Sequence, residues 1–270
     1  MESTRLEQEI TDLYSDFLKK MDINEKDGVA ILKGETLRFS GFPYIGADYH
    51  NAKKKILFVG LDIGIDELKE ENTYHSIESR RACIAGSTER CNSFPQYNPH
   101  ISGTYSVALY ALKDIYNWSD SWQKLYTHKE FTTKKAIDIL SKELPINVMD
   151  YVVVTNIHKF VTKCRGCVGS EQKCWSHECN GVVVPGNRTG DNNRKWYSKD
   201  IELELFMNEI ELFNPDIIVF QGSGKRLPEE MMDKLKGKYG VIDSHHPSAW
   251  NVRANKLEYS RKIIDESKSI

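Results

Sequence analysis

Apolar residues in this chain fall into short unbroken runs separated by segments with a helical spacing. Ile56-Leu57-Phe58-Val59, Tyr151-Val152-Val153-Val154, Ile217-Ile218-Val219-Phe220 and Val241-Ile242-Asp243 have the length and β-branched or aromatic content of strands buried on both faces. The first of them predicts a strand over about 53–62. In residues 3–20, Leu6, Ile10, Leu13, Tyr14, Phe17 and Leu18 recur at steps of three and four, which marks an amphipathic helix. Further helices are predicted over 105–118 and 136–144, the latter stopped by Pro145, and near 199–213, 226–237 and 252–266. Residues 22–52 carry dispersed Gly, Pro and Asn and read as an approach loop, and residues 65–100 read as polar and irregular. Strands alternating with helices predict an α/β fold with three layers, α/β/α, in which a central four-stranded, mostly parallel sheet is covered on both faces. The expected organisation is an N-terminal helix and approach loop over 1–52, then one α/β domain over 53–270 with a Cys-rich insertion at 160–195. No internal repeat is visible.

A chain of 270 residues that is 40% apolar can build a substantial core. Its 37 basic and 39 acidic side chains nearly cancel, leaving −2. A polyanionic partner would therefore have to be held by local clusters, and basic residues gather at 53–55, 159–173, 188–195 and 253–262. No apolar run approaches the roughly 20 residues of a membrane span, and Met1-Glu2-Ser3-Thr4-Arg5 lacks the pattern of a secretion signal. The expectation is a cytoplasmic monomer with no membrane association.

Cys164, Cys167, Cys174 and Cys179 form a C-x2-C-x6-C-x4-C set. In a reducing compartment such clustering argues for a metal and against disulfides, since four thiolates can enclose one ion or cluster. The Cys164-Arg165-Gly166-Cys167 turn suits a zinc knuckle, in which glycine lets backbone amides point at sulfur; four thiolates suit a 4Fe-4S cluster as well. Either site would be closed and structural. Cys83, Cys91 and His177 are expected to stand outside it.

Two strings follow apolar runs: Gly60-Leu61-Asp62-Ile63-Gly64 comes directly after the first, and His245-His246-Pro247-Ser248-Ala249-Trp250 comes one residue after the last. Both would leave the carboxyl edge of one sheet, where open α/β folds place ligands. A third, Val154-Thr155-Asn156-Ile157-His158-Lys159, ends the second run. In this order the three strings resemble the motifs of the uracil-DNA glycosylase superfamily. Pro185-Gly186-Asn187-Arg188 is similar to a loop of its iron-sulfur branch. The resemblance covers about 53–255, carried by short segments.

That resemblance implies a DNA glycosylase. Asp62 would hold the attacking water and stabilise positive charge on the sugar, and His246 would donate to the oxygen of the departing base, with His245 as its rival. Asn156 would read the flipped base, and Phe94, or else Tyr97, would stack on it. Trp250 lies where the family places its wedge, and Ser248, Arg253, Ser223 and Lys225 would meet flanking phosphates, the last two from Gly222-Ser223-Gly224-Lys225. Ile63 replaces a usual proline, and Gly64 stands where uracil-specific members carry a tyrosine that blocks a C5 substituent. The implied substrate is DNA bearing uracil or a C5-modified pyrimidine such as a modified cytosine of phage DNA, in repair or in phage defence. A noncatalytic nucleic-acid sensor on the same scaffold and a small-molecule nucleosidase are the alternatives.

Overall fold

The computed structural model describes residues 2–23, 29–32, 35–39, 41–60, 76–82, 104, 107–108, 111–112, 114–116, 148–162, 178–179, 182–183, 199–245 and 256–269. Ten strands are defined among them: β1 (Val29–Leu32), β2 (Glu35–Phe39), β3 (Tyr44–Ile45), β4 (Ile56–Gly60), β5 (Val152–Asn156), β6 (Phe160–Thr162), β7 (Glu178–Cys179), β8 (Val182–Val183), β9 (Ile217–Gln221) and β10 (Gly240–Ser244). The longer helices are α1 (Glu2–Lys20), α2 (Lys199–Phe213), α3 (Glu229–Lys236) and α4 (Lys256–Ser269). Helical backbone also occurs over 77–82 and at the described positions between 104 and 116. The helix expected over 136–144 lies outside the described residues.

The central sheet runs β10-β9-β4-β5-β3. All four strands expected from the sequence are in it, and β10, β9, β4 and β5 are mutually parallel. The sheet has five strands rather than four, because the two-residue β3 adds antiparallel to β5 through Tyr44↔Val154 and Ile45↔Val153. The chain thus forms an α/β fold on a mixed sheet.

Strand alternation sorts the apolar residues onto two faces. On one face Ile56, Phe58, Val152, Val154, Ile217, Val219 and Ile242 pack against Val107, Ala108, Ala111 and Leu112 and against Tyr259, Ile263 and Ile264 of α4. On the other, Leu57, Val59, Val153, Ile218 and Phe220 pack against α1, α2 and α3. The apolar stripe of α1 is Ile10, Tyr14 and Phe17, continued by Met21 just past its end, all buried, at steps of three and four. At the end of α2, Asn214 takes the left-handed conformation (φ 42°) ahead of Pro215, a combination that stops a helix.

Residues 22–52 are not the approach loop expected. They contain β1, β2 and β3, and β1 and β2 pair with each other and then with β6 in a second, antiparallel sheet. An aromatic cluster joins this sheet to α1: Tyr14 stacks on Phe42 at 4.4 Å, Phe17 meets Phe160 at 5.7 Å and Phe39 meets Phe160 at 6.3 Å. The region expected as irregular at 65–100 includes the helical stretch 77–82, anchored by buried Ile77 and Arg80. In the Cys-rich segment, β7 and β8 pair antiparallel through Glu178↔Val183 and Cys179↔Val182.

Candidate active-site crevice

The connection leaving β4 carries the helical residues Val107, Ala108, Ala111 and Leu112 to one face of the sheet, although Ile77 earlier in it packs on the other face, to which the connection leaving β9 carries α3. β4 and β9 are neighbours. Adjacent parallel strands whose connections part to opposite faces open a crevice beyond their carboxyl ends, and ligands of open α/β sheets bind there. The rim of this crevice is the row of strand ends Ser244, Gln221, Gly60 and Asn156, which lie in register as Ser244↔Gln221 and Gly60↔Asn156.

Gly60 is required by its neighbour. A Cβ on Gly60 would lie 2.3 Å from Oδ1 of Asn156, so the Asn156 carboxamide rests directly over the end of β4. The amide of Ile157 donates to Gly60 O at 3.1 Å, which closes the β5 end against β4. Asn156 itself is half-buried, whereas Thr155, Ile157, His158 and Lys159 around it are buried.

The β9 end is tied down by its own loop. Gly222 adopts a positive φ of 75° and donates its N–H to Ser244 O at 2.7 Å. Ser223 is fully buried, and its hydroxyl donates to Val59 O at 2.7 Å. The hydroxyl expected to meet a phosphate is therefore committed to the main chain of β4, and Ser223 fastens the loop instead. Lys225 is exposed in the short 3-10 turn Gly224–Arg226, on the rim and open to an anion. Gln221 is buried beside Thr104: its Nε2 donates to the Thr104 hydroxyl at 2.9 Å.

Beneath Asn156 lies a buried polar network. Glu209 of α2 accepts from Tyr14 Oη, from Thr155 Oγ1 at 3.2 Å and from Lys159 Nζ at 2.6 Å. The Lys159 ammonium also donates to Thr155 Oγ1 at 3.1 Å, and its backbone N–H donates to Glu202. Burial holds Lys159 below the usual lysine range, with Glu209 pulling the other way, and burial with the Glu209 charge beside it lifts the Tyr14 phenol well above its ordinary range. Tyr14 is therefore a neutral donor to Glu209.

Of the residues expected at the site, Asn156, Ser223, Lys225 and the rival histidine His245 are described. His245 is exposed one residue past β10, its ring edge-on to Tyr259 at 6.1 Å. Asp62, Gly64, Phe94, Tyr97, His246, Ser248, Trp250 and Arg253 lie outside the described residues, as do Cys164, Cys167 and Cys174 and the side chain of Cys179. In sequence Asp62 follows the end of β4 by two positions and His246 follows the end of β10 by two. Those strands flank β9, so their ends are two strand spacings apart, about 10 Å. Among the described residues no group of three His, Cys, Asp or Glu could hold a metal ion, and no helix is long and apolar enough to cross a membrane. Sequence reasoning passed over Gln221 and the Lys159 network. Their signals were a glutamine closing an apolar strand, and Glu202 and Glu209 seven apart on the apolar side of a helix.

No protein-family model matches this chain, and no curated protein matches it.

Proposed function

We propose that this chain is a DNA glycosylase that extrudes a pyrimidine, uracil or a C5-modified base, and hydrolyses its N-glycosidic bond. The observation that supports the reading is the arrangement of strand ends at the carboxyl edge of the sheet. The strands that precede Asp62 and His246 end on either side of β9, and the half-buried Asn156 carboxamide rests over the end of β4. Breaking an N-glycosidic bond leaves oxocarbenium character on the sugar and negative charge on the departing base. A carboxylate and a hydrogen-bond donor about 10 Å apart at their strand ends suit those opposite charges, because side chains from both sides close the gap around one nucleoside.

In this scheme Asp62 orients the attacking water and His246 donates to the base oxygen. Asn156 offers one acceptor and two donors to the base edge, Phe94 stacks on the base and Gly64 leaves room at C5. Trp250 fills the gap in the duplex, and Lys225, Ser248 and Arg253 take the flanking phosphates. Cys164, Cys167, Cys174 and Cys179 hold a structural zinc ion, a donor set with no vacant position for chemistry. The strand pair that carries Cys179 is the kind of support such a site uses.

Incubation with duplexes carrying uracil, mismatched thymine, hydroxymethylcytosine or glycosylated cytosine, followed by alkali, should cut the strand at the position of one of them. No cleavage of any of these duplexes overturns the reading. Gly60→Ala adds a methyl where Asn156 Oδ1 sits, and the amide must swing away. Base release should then fall as far as in Asn156→Ala, while the unfolding midpoint moves by the equivalent of about 1 kcal/mol or less. Full activity in Gly60→Ala would remove Asn156 from the base-reading role. Metal analysis should find one zinc per chain in colourless protein. Brown protein containing iron and sulfide would replace zinc with the cluster, and metal-free protein would reject both.

A further inference from the structure

We propose that Lys159, with Thr155, Glu202, Glu209 and Tyr14 around it, positions the Asn156 carboxamide by clamping the turn that carries it from beneath. The effect on base release rests on the role given to Asn156 above; the clamping does not.

The geometry concentrates on one three-residue turn. β5 ends at Asn156 and β6 begins at Phe160, so the chain passes from the central sheet to the second sheet over residues 157–159. The anchors that follow bracket Asn156. On its N-terminal side Thr155 Oγ1 both accepts from Lys159 Nζ at 3.1 Å and donates to Glu209 at 3.2 Å. On its C-terminal side the Ile157 amide is bound to Gly60 O, the Lys159 amide to Glu202 and the Lys159 ammonium to Glu209 at 2.6 Å. Lys159 thus closes the turn on itself, its side chain returning to the residue just before Asn156 while its backbone is held by α2. Asn156 is the one member of 155–159 that is not buried. The network fixes its backbone on both sides and leaves its amide facing outward.

Cost points the same way. Lys159 and Glu209 have side-chain exposures of 2% and 0%, and Glu202 is buried too. Apolar side chains of similar volume often fill such a site at little cost in stability, so buried charge of this kind calls for a directional reason. Apolar contacts tolerate rotation of the turn. A lysine held by Glu209, Thr155 and, through its amide, Glu202 does not. The arrangement also gives α1 a task, because Tyr14 supplies one of the three donors to Glu209 and its ring lies 5.7 Å from the Lys159 cation. The N-terminal helix is therefore part of the support of the crevice.

Thr155→Val and Thr155→Ser test this without removing a charge. Both keep the β-branch or the hydroxyl size needed for packing, and only serine retains the link between Lys159 and Glu209. The direct readout is the side-chain amide signal of Asn156 in ¹⁵N-resolved spectra of the full chain. It should be a single dispersed pair in the wild type and in Thr155→Ser, and collapse toward free-amide positions in Thr155→Val. An unchanged Asn156 signal in Thr155→Val overturns the proposal, whatever the protein is found to cleave. The second readout is a double-mutant cycle on base release. Thr155→Val should lower kcat about tenfold or more with KM nearly unchanged, because a displaced reading group is felt in the transition state. The same change in an Asn156→Ala background should have no further effect. An equal loss in both backgrounds would show Thr155 acting elsewhere and overturn the proposal. If the wild type releases no base at all, the glycosylase reading falls, and the Asn156 signal alone decides the clamp.

Discussion

Glu209→Leu should destabilise the fold by about 3–5 kcal/mol in urea unfolding near neutral pH, whereas Lys159→Met combined with Glu209→Leu should recover most of that loss. The single change strands a buried ammonium and removes the acceptor of Tyr14 and Thr155. The double change removes both charges and puts two flexible or branched apolar chains into the same volume, beside Phe206 and the Tyr14 ring. The pH dependence has a definite sign. Burial already places the folded-state value of Lys159 below its ordinary 10.5, and loss of Glu209 takes away the main opposing pull. Between the folded and unfolded values the unfolded chain carries the extra proton, so stability rises with pH through that window. Glu209→Leu should therefore grow more stable from neutral pH toward about 10, and the double variant should show no such slope. A double variant as unstable as Glu209→Leu would mean that the hydrogen bonds to Glu209, not the balance of charge, hold this region. A double variant that is stable but has lost the ordered Asn156 signal would separate the two tasks of the network, folding and positioning.

Much of the framework was legible because buried parallel strands announce themselves: three runs such as Ile217-Ile218-Val219-Phe220 leave no polar face, and these and the shorter Val241-Ile242 lie side by side in the sheet. The helix over 199–213 was equally plain, being bounded by Asn214-Pro215. The strands in 22–52 were not, since β1 and β2 are short, lie beside Gly, Asn and Pro, and gain their stability from β6 and from rings on α1 far along the chain. Long-range pairing of this kind leaves little local periodicity. The two-residue β3 is shorter than any pattern can reveal. At the site, Asn156 and Lys225 could be named from motif and strand end, and both stand on the rim. Ser223 could not be judged: a serine between glycines reads as a phosphate ligand, but which acceptor its hydroxyl finds depends on Val59, 164 positions away. Lys159 and Glu209 are 50 apart, and nothing in either neighbourhood reveals that they form a pair.

Asp62→Asn should lower the single-turnover rate of base release by about 10²–10³-fold while leaving affinity for the same duplex within a few-fold of wild type. Asparagine keeps the size and can still hold a water, but it carries no charge to stabilise the oxocarbenium and accepts no proton from the water as it attacks. DNA affinity comes chiefly from phosphate contacts, here given to Lys225, Ser248 and Arg253, and those are untouched. His246→Ala should produce a loss of similar size that shrinks for bases that depart more readily, because less charge then remains on the base oxygen for a donor to stabilise. Asp62→Asn should be indifferent to the leaving base, since its partner is the sugar. That contrast distinguishes the two ends of the scissile bond in one set of substrates. Equal rates for wild type and Asp62→Asn would remove this carboxylate from the chemistry and assign the attacking water to another group. A loss of this kind in His245→Ala, with His246→Ala releasing base at the wild-type rate, would move the donor to the exposed ring beside Tyr259.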